Sequence, residues 1–230
     1  MDNTCIINGK NLFSEFKAEL SNWTTSSGDL ELLQAQPLSY SEFSFVSNKA
    51  LLGKLNVELL LESDSTPSVS KLASKLVSGL LGKASEITCE GNNFYGALAG
   101  FEIKDAEIAG FCWLNLEFNA IRRDPLVTQT LANGSGIVNN TGSLPTGVKL
   151  EVSSPQNLED VEVMGVTIKK LRANNPFVID GITGKVVENG FNAFLNTNLV
   201  NFPKLKAGEN LISSSKPVNL QVSYYPVDLL

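Results

Sequence analysis

The segment from Asn174 to Asn210 constrains the fold more than any other, because it alternates tight-turn dipeptides with short runs of strand-forming residues. Asp180-Gly181 and Asn189-Gly190 tolerate positive φ, so the backbone can reverse tightly at both places. Gly184 gives a third such position next to β-branched residues. The segment therefore predicts short antiparallel strands joined by tight turns.

The same segment resembles the second half of the distal tail proteins of long-tailed bacteriophages, which form the hub between the tail tube and the host-adhesion device. The shared features are Asp180-Gly181-x-x-Gly184-Lys185, Glu188-Asn189-Gly190, and Asn201-Phe202-Pro203 followed by Leu205, Gly208, Glu209 and Asn210. An unrelated hairpin sandwich could share the glycines, but it would share the last motif only by a further coincidence.

Specific backbone roles are predicted for the glycines and the proline of these motifs. We expect Gly181, Gly184, Gly190 and Gly208 to be hard to replace because they adopt positive φ, and Pro203 to give a rigid start to the turn after it. These roles are structural, and no catalytic, cofactor-binding or metal-binding residue is assigned.

Composition argues against catalysis and against nucleic-acid binding. The 18 basic and 24 acidic residues give a net charge of −6, and no block of Lys or Arg could follow a phosphate backbone. With no histidine, the usual catalytic triads and His-metal sites cannot be built. The carboxylates of Glu58–Asp64, Glu159–Glu162 and Asp180 are explained by solvated strand faces or by a turn. We expect no enzyme activity and no cofactor.

The cysteines and the N-terminal residues predict a protein that folds in a reducing cytoplasm. Cys5, Cys89 and Cys112 each lie beside apolar residues, so we interpret them as reduced core residues, and a disulfide between two of them is the alternative. The start of the chain lacks the features of a secretion signal, and no stretch approaches the roughly 18 apolar residues of a membrane span.

One helix is predicted in the first half. Thr66 can cap it and Pro67 suits its first turn, and Gly82 can end it. Apolar residues at spacings of three and four, including Leu72, Leu76 and Leu80, form one stripe. The stripe either closes the sandwich of its own domain or contributes to a subunit interface, and both can hold at once.

The remaining pattern predicts a mainly β protein of two tandem domains. Residues 1–123 form a β-sandwich with one packed α-helix, and a turn-rich passage after Arg123 opens the second domain, residues 124–230. Period-two alternation marks the strands Leu114–Ala120, Val148–Val152 and Val218–Tyr224. Other runs rich in strand-forming residues predict further strands: Phe43–Phe45, Leu55–Leu61, Ile87–Cys89, Phe94–Leu98, Val161–Leu171, Phe177–Ile179, Val186–Val187 and Phe191–Leu195.

The resemblance implies a second domain of galectin-like fold and a structural role in the virion. The first domain would build a hexameric ring around the tail channel, and the second would hold adhesion proteins. Implied partners are the tail tube protein, the tail-associated hub or spike protein, the tape measure protein and receptor-binding proteins, while DNA passes through the channel. Between the matched strands there is room only for loops, so this is the short form without a carbohydrate-binding insertion.

Two other functions stay open at this point. A carbohydrate-binding module of the adhesion device could use Trp23, Trp113, Tyr95, Tyr224 or Tyr225 for stacking on sugars, although galectin-type sites depend on a histidine that this chain lacks. A tail tube or tail completion protein would also form β-sandwich rings, but it would not carry the Asp180–Asn210 pattern.

Overall fold

The computed structural model describes residues 4–27, 30–35, 44–50 and 52–230. The chain divides into two compact units: the first runs to Arg123 and also includes Leu229–Leu230, and the second is Asp124–Asp228. Antiparallel strands dominate both units, so the predicted mainly β fold class is confirmed.

Among the described residues, the first unit contains one large antiparallel sheet, a separate pair of strands and two helices. Its elements in chain order are β1 (Cys5–Ile7), β2 (Lys10–Asn11), α1 (Leu12–Phe16), β3 (Ala18–Ser26), β4 (Leu30–Ala35), β5 (Ser44–Ala50), β6 (Gly53–Glu62), α2 (Thr66–Leu80), β7 (Ala84–Cys89), β8 (Asn92–Asp105) and β9 (Phe111–Arg123). The sheet order is β2-β1-β7-β8-β9-β6-β3, and β4 pairs with β5. Phe45 lies in β5, whereas Phe43 of the same predicted strand lies outside the described residues.

The core of this unit lies between the sheet and α2. Leu114, Leu116 and Phe118 alternate with polar residues along β9, and all three side chains are buried. Residues of β6 face them in register, for example Leu59 opposite Leu114. Because one face of β6 and β9 is apolar throughout, α2 can cover it with its own apolar stripe.

The start of α2 differs from the prediction. Ser65 is the N-cap residue and Thr66 is the first helical residue, with Pro67 in the first turn. Thr66 is used differently, since its hydroxyl accepts a hydrogen bond from the amide of Gly110 at 3.5 Å. The helix ends at Leu80, and Gly82 follows with a φ of 72°.

A second helix, α1, was not predicted, because its five residues are too few to show helical periodicity. The Asn11 side chain caps it by accepting hydrogen bonds from the amides of Phe13 and Ser14, at 2.9 and 3.3 Å. Lys17 ends the helix in a left-handed conformation with a φ of 52°.

The second unit is built from shorter strands. They are β10 (Val127–Leu131), β11 (Gly136–Asn140), β12 (Thr146–Ser153), β13 (Leu158–Val163), β14 (Val166–Leu171), β15 (Phe177–Asp180), β16 (Lys185–Glu188), β17 (Phe191–Asn192), β18 (Lys204–Leu205), β19 (Gly208–Ile212), β20 (Asn219–Tyr224) and β21 (Val227–Asp228). Short 3-10 helices occupy Ala132–Gly134 and Phe194–Asn196.

Two layers enclose the core of the second unit. One is the sheet β10-β20-β12-β15-β16-β17, with β18 pairing with β12. The other combines the β11–β19 and β13–β14 pairs, which a bridge between Val163 and Ser214 connects. Inward-facing residues of both layers, such as Leu150, Ile168 and Phe177, are fully buried.

Two predicted strands of this unit turn out differently. The run Val161–Leu171 is a hairpin, because Met164 and Gly165 adopt φ of 49° and 77° and reverse the chain between β13 and β14. The run Phe191–Leu195 is a strand only at Phe191–Asn192, after which the Asn192 side chain accepts a hydrogen bond from the Phe194 amide at 2.9 Å and starts a 3-10 helix.

The three cysteines are free and buried, so the predicted reduced state is confirmed. Cys5 and Cys89 lie opposite each other on β1 and β7, with their sulfur atoms 3.7 Å apart. The hydrogen bond with Cys89, and then burial, raise the pKa of Cys5, and burial with the nearby Asp105 charge raises the pKa of Cys112. These thiols are therefore poor nucleophiles. Within the described residues, no helix has the length and apolar character that crossing a membrane requires.

Candidate functional site

The motif residues around Gly181 meet at a backbone junction in the second unit. The Gly181 amide donates to the Val148 carbonyl at 2.9 Å, and the Val148 amide donates to the Pro203 carbonyl at 3.4 Å. A Cβ on Gly181 would lie 2.8 Å from the Val148 oxygen and 3.1 Å from the Pro203 oxygen. The motif halves at Gly181 and Pro203 therefore converge on β12.

The positive φ predicted for Gly181 is wrong, since its φ lies outside the left-handed range. Glycine is needed there because backbone atoms approach too closely for a side chain. Gly147 has the same role on β12, where a Cβ would lie 2.5 Å from the Gly181 oxygen. This role of Gly147 was not predicted, although a glycine inside an alternating strand is a signal for such a close approach.

The other motif glycines lie in turns with positive φ: 70° at Gly184, 79° at Gly190 and 81° at Gly208. Asn189, with a φ of 50°, forms with Gly190 the two-residue turn between β16 and β17. At Gly184, Gly190 and Gly208, a Cβ would meet no neighbouring atom within 4 Å. Backbone conformation alone therefore favours glycine at these three positions.

Two polar motif residues hold the turns by side-chain hydrogen bonds. The Asp180 carboxylate accepts from the amides of Ile182 and Thr183 at 2.9 and 3.0 Å. The Asn210 side chain accepts from the Lys206 amide at 2.8 Å and donates to the carbonyls of Lys206 and Gly208 at 2.9 and 2.8 Å. The spacing of these motif residues is therefore explained by the turns that they hold.

The helix proposed for a subunit interface packs mainly on its own core. Leu76 and Leu80 are 3% and 6% exposed, and Leu72 is half-buried against the same core. Leu76 and Leu80 nevertheless form part of the wall of a groove of about 190 Å³ near the end of α2. The groove therefore leaves part of the apolar stripe of α2 open to a second subunit.

An exposed apolar surface lies on the second unit, along residues 191–200. Phe191, Leu195 and Val200 are 78%, 89% and 90% exposed. A groove of about 390 Å³ beside it is lined by Gly184, Lys185 and Phe194, among others. Exposed large apolar side chains at this density along ten residues are typical of a protein-binding surface.

The 191–200 segment is held in one conformation by asparagine side chains. The Asn196 side chain accepts from the Lys170 amide at 3.1 Å and donates to the Lys170 carbonyl at 2.7 Å, so it pairs with β14 as a strand would. Asn198 accepts from the Thr167 amide at 2.6 Å and donates its own amide to the Thr167 carbonyl at 3.2 Å. The role of Asn196 and Asn198 was not predicted, because their only signal in the sequence is two asparagines separated by one residue.

Three of the five aromatic residues considered for sugar stacking, Trp23, Tyr95 and Tyr224, have another role in the structure. The Trp23 indole donates to Glu90 at 3.1 Å, and its ring packs at 5.5 Å from that of Phe94. The Arg123 guanidinium covers the Tyr95 ring at 3.9 Å.

Tyr224, another of these aromatic residues, is buried, donates to the Asn139 carbonyl at 2.7 Å, and has its pKa raised by burial. Among the residues that the structure describes, no group of three or more Cys, Asp or Glu side chains could hold a metal ion.

Comparison with known proteins finds this architecture among solved structures. No family model and no curated protein sequence matches the chain. The crystal structure of SPP1 Dit (gp 19.1), described as a paradigm of the hub adsorption apparatus in phages that infect Gram-positive bacteria, matches with a TM-score of 0.73 and 15% identity over 97% of this chain and 98% of that one.

The phage P2 baseplate in its activated conformation gives weaker matches to this chain. The calcium form has a TM-score of 0.52 and 11% identity over 96% of this chain and 97% of that one. The strontium form has a TM-score of 0.50, with the same identity and coverage. The resemblance predicted from residues 174–210 is therefore confirmed at the level of the fold, which this chain shares along nearly its whole length with a phage hub protein.

Proposed function

We propose that this chain is a structural hub protein of a long-tailed phage tail tip, made in the host cytoplasm and assembled into the virion. The observation that carries the proposal is the match to SPP1 Dit across both units, at 97% and 98% coverage. The motifs at Gly181, Gly190 and Asn210 also support the proposal. They carry the sequence resemblance to distal tail proteins, and each has a structural role in a turn or a close backbone contact. The role is not enzymatic.

In this proposal the first unit, residues 1–123, forms a hexameric ring between the tail tube protein and the tail-associated hub or spike protein. A ring uses one contact six times, so each contact can be weak while the assembly is stable. The tape measure protein and then DNA pass through the channel. The net charge of −6 suits this passage, since like charge discourages DNA from binding to the wall.

The second unit, residues 124–230, would hold receptor-binding proteins at the rim of the ring. The exposed apolar side chains of Phe191, Leu195 and Val200 support this role. Because Asn196 and Asn198 fix the segment to β14, little conformational entropy is lost when a partner binds. Trp23, Tyr95 and Tyr224 each contact other residues of the chain, which does not favour the carbohydrate-binding alternative.

Co-assembly with the neighbouring tail proteins of the same phage tests the proposal. The chain is expressed with the tail tube, tail-associated and receptor-binding proteins, and complexes are examined by light scattering and negative-stain electron microscopy. We expect rings with peripheral density, and loss of the peripheral protein when Phe191 and Leu195 are both changed to Ser. A chain that joins none of these proteins, or that binds cell-wall polysaccharide on its own, would contradict the proposed function.

A further inference from the structure

The groove at the end of α2 has an apolar floor and lacks a side chain at its centre. Leu12 of α1 and Leu76 and Leu80 of α2 line it, and its volume is about 190 Å³. Gly79 also lines the groove, and a Cβ there would meet nothing within 4 Å. A glycine inside a helix lowers helix stability. At Gly79 the same residue leaves the groove open, with room for about one aliphatic side chain.

The rim of this groove is basic, against the acidic balance of the chain. Lys10, Lys75 and Lys83 surround the floor. Lys10 pairs with Glu15 at 3.3 Å, and neither Lys75 nor Lys83 has an ion pair within the described residues. The groove is therefore suited to an aliphatic side chain that is flanked by carboxylates.

The loop between β8 and β9 carries such a side chain. Ile108 is 67% exposed, with Glu107 next to it and Asp105 three residues before it in the sequence. Backbone hydrogen bonds close the loop, from the Ala106 amide to the Phe111 carbonyl at 3.4 Å and from the Phe111 amide to the Ile108 carbonyl at 3.2 Å. The loop is therefore preorganised to present Ile108 outward.

The base of this loop is fixed near the beginning of α2. The Ser63 amide donates to the Gly110 carbonyl at 2.8 Å, and a Cβ on Gly110 would lie 2.4 Å from the Ser63 oxygen. Glu62 and Asp64 flank Ser63 and add two carboxylates to the same region. Acidic groups therefore gather at the start of α2, and lysines at its end.

The Ile108 loop cannot reach the groove of its own chain. Thr66, which the loop contacts through Gly110, lies thirteen positions before Gly79 of the groove, which corresponds to about 20 Å along α2. The two complementary surfaces lie at opposite ends of one helix, so they can meet only between copies. Contacts of this head-to-tail kind produce closed rings or filaments.

We infer that Ile108 and its flanking carboxylates insert into the Leu12–Leu76–Leu80 groove of the next copy of the chain, where Lys75 and Lys83 pair with Asp105 and Glu107. The inference rests on the proposed ring-forming function and names the contact that builds the ring. The groove and loop anchor a larger interface, because one apolar side chain buries much less surface than a stable contact needs.

Disulfide trapping tests the contact directly. A chain with Lys83→Cys and Glu107→Cys, which keeps Gly79 in the groove and Ile108 in the loop, is exposed to air with a copper catalyst, so that dioxygen oxidises pairs of thiols, and the products are separated without reductant. We expect a ladder of covalent oligomers, since the native cysteines are buried. The control chain carries Lys71→Cys and Glu107→Cys, because Lys71 is exposed on the same helix but outside the groove. Equal ladders in both chains, or none in either, would overturn the inference.

Charge reversal gives a second, independent test by analytical ultracentrifugation. Lys75→Glu with Lys83→Glu, and separately Asp105→Lys with Glu107→Lys, should each weaken self-association about tenfold or more. A mixture of the two variants should regain it as alternating assemblies in a 1:1 ratio, because each groove then faces a loop of opposite charge. Lys71→Glu, the matched control, should associate as the unchanged chain does.

Each outcome separates this inference from the proposed function. Rings that persist in both reversal variants would overturn the contact and leave the ring intact. A covalent ladder whose particles are open filaments would support the contact and contradict the ring. Circular dichroism of every variant checks that it is folded, so that a loss of association is not mistaken for unfolding.

Discussion

The junction at Gly181 and the hairpin at Asn189–Gly190 lie nine residues apart, and glycine is needed in each for a different reason. At Gly181, the carbonyls of Val148 and Pro203 occupy the place of a side chain while φ is ordinary. At Gly190 the surrounding space is open, but φ is 79°. Gly181 therefore allows two backbone segments to pack closely, and Gly190 allows the chain to reverse.

This difference predicts how each position responds to substitution. A close approach of backbone atoms cannot relax without moving β12, so any side chain at Gly181 is harmful and larger ones are worse. A left-handed residue in open space tolerates asparagine well and β-branched residues poorly, because only its own backbone energy is at stake. The same residue type therefore gives two substitution profiles within one motif.

The largest effect is expected for Gly181→Val. The added side chain would meet backbone oxygens at about 3 Å, so we expect the second unit to lose about 3 kcal/mol of unfolding free energy. Urea unfolding followed by far-ultraviolet circular dichroism measures this loss. Both tryptophans, Trp23 and Trp113, lie in the first unit, so their fluorescence should report an unchanged transition there.

Gly184→Ala is the matched control for that experiment, because it adds a Cβ into open space two residues beyond Ile182. Its cost should be about 1 kcal/mol, from the φ of 70° alone. If Gly184→Ala destabilised the second unit as much as Gly181→Val, the distinction between packing and conformation would be wrong.

Gly190→Val should cost about 2 kcal/mol, because valine is strained at a φ of 79°. Gly190→Asn should cost well under half as much, as asparagine adopts this conformation more readily. Thermal melting of the pair, with the first unit followed by tryptophan fluorescence, compares them. Melting of Gly190→Val at the temperature of the unchanged chain would refute the conformational argument at this turn.

Asn210→Ala should have a smaller effect, about 1.5 kcal/mol, from the loss of hydrogen bonds to Lys206 and Gly208 in an exposed turn. Asn210→Asp keeps the acceptor for the Lys206 amide at 2.8 Å and removes both N–H donors. Its stability should therefore fall between that of the unchanged chain and that of Asn210→Ala. Chemical denaturation of the three chains gives the order. An aspartate variant less stable than the alanine variant would show that the accepted hydrogen bond is not the stabilising one.

The sequence predicts the turns well where the cause is local. Asn189 and Gly190 reverse the chain through their own φ, and the alternation of Leu114, Leu116 and Phe118 places one face of β9 in the core. Gly181 was assigned the wrong cause, because the approach of Val148 and Pro203 is a tertiary property that no local pattern encodes. The exposed positions of Ile108 and Phe191 were missed for the same reason.

Gly79 completes the comparison, because it has neither constraint. It lies inside α2, so its φ suits any residue, and a Cβ there would meet no atom within 4 Å. Gly79→Ala should therefore stabilise the first unit by about 1 kcal/mol, since alanine is the better helix former by about that amount. Urea unfolding followed by tryptophan fluorescence should show the gain, with the second unit unchanged in circular dichroism.

Stability and assembly should then respond in opposite directions to this one substitution. The new methyl group enters the groove that we assign to Ile108 of the next copy, so self-association should weaken while the fold gains stability. Ser78→Ala, at an exposed position that does not line the groove, is the control and should leave association unchanged. A Gly79→Ala chain that is more stable and associates as before would mean that the glycine is retained for neither packing, nor conformation, nor the docking of a second copy.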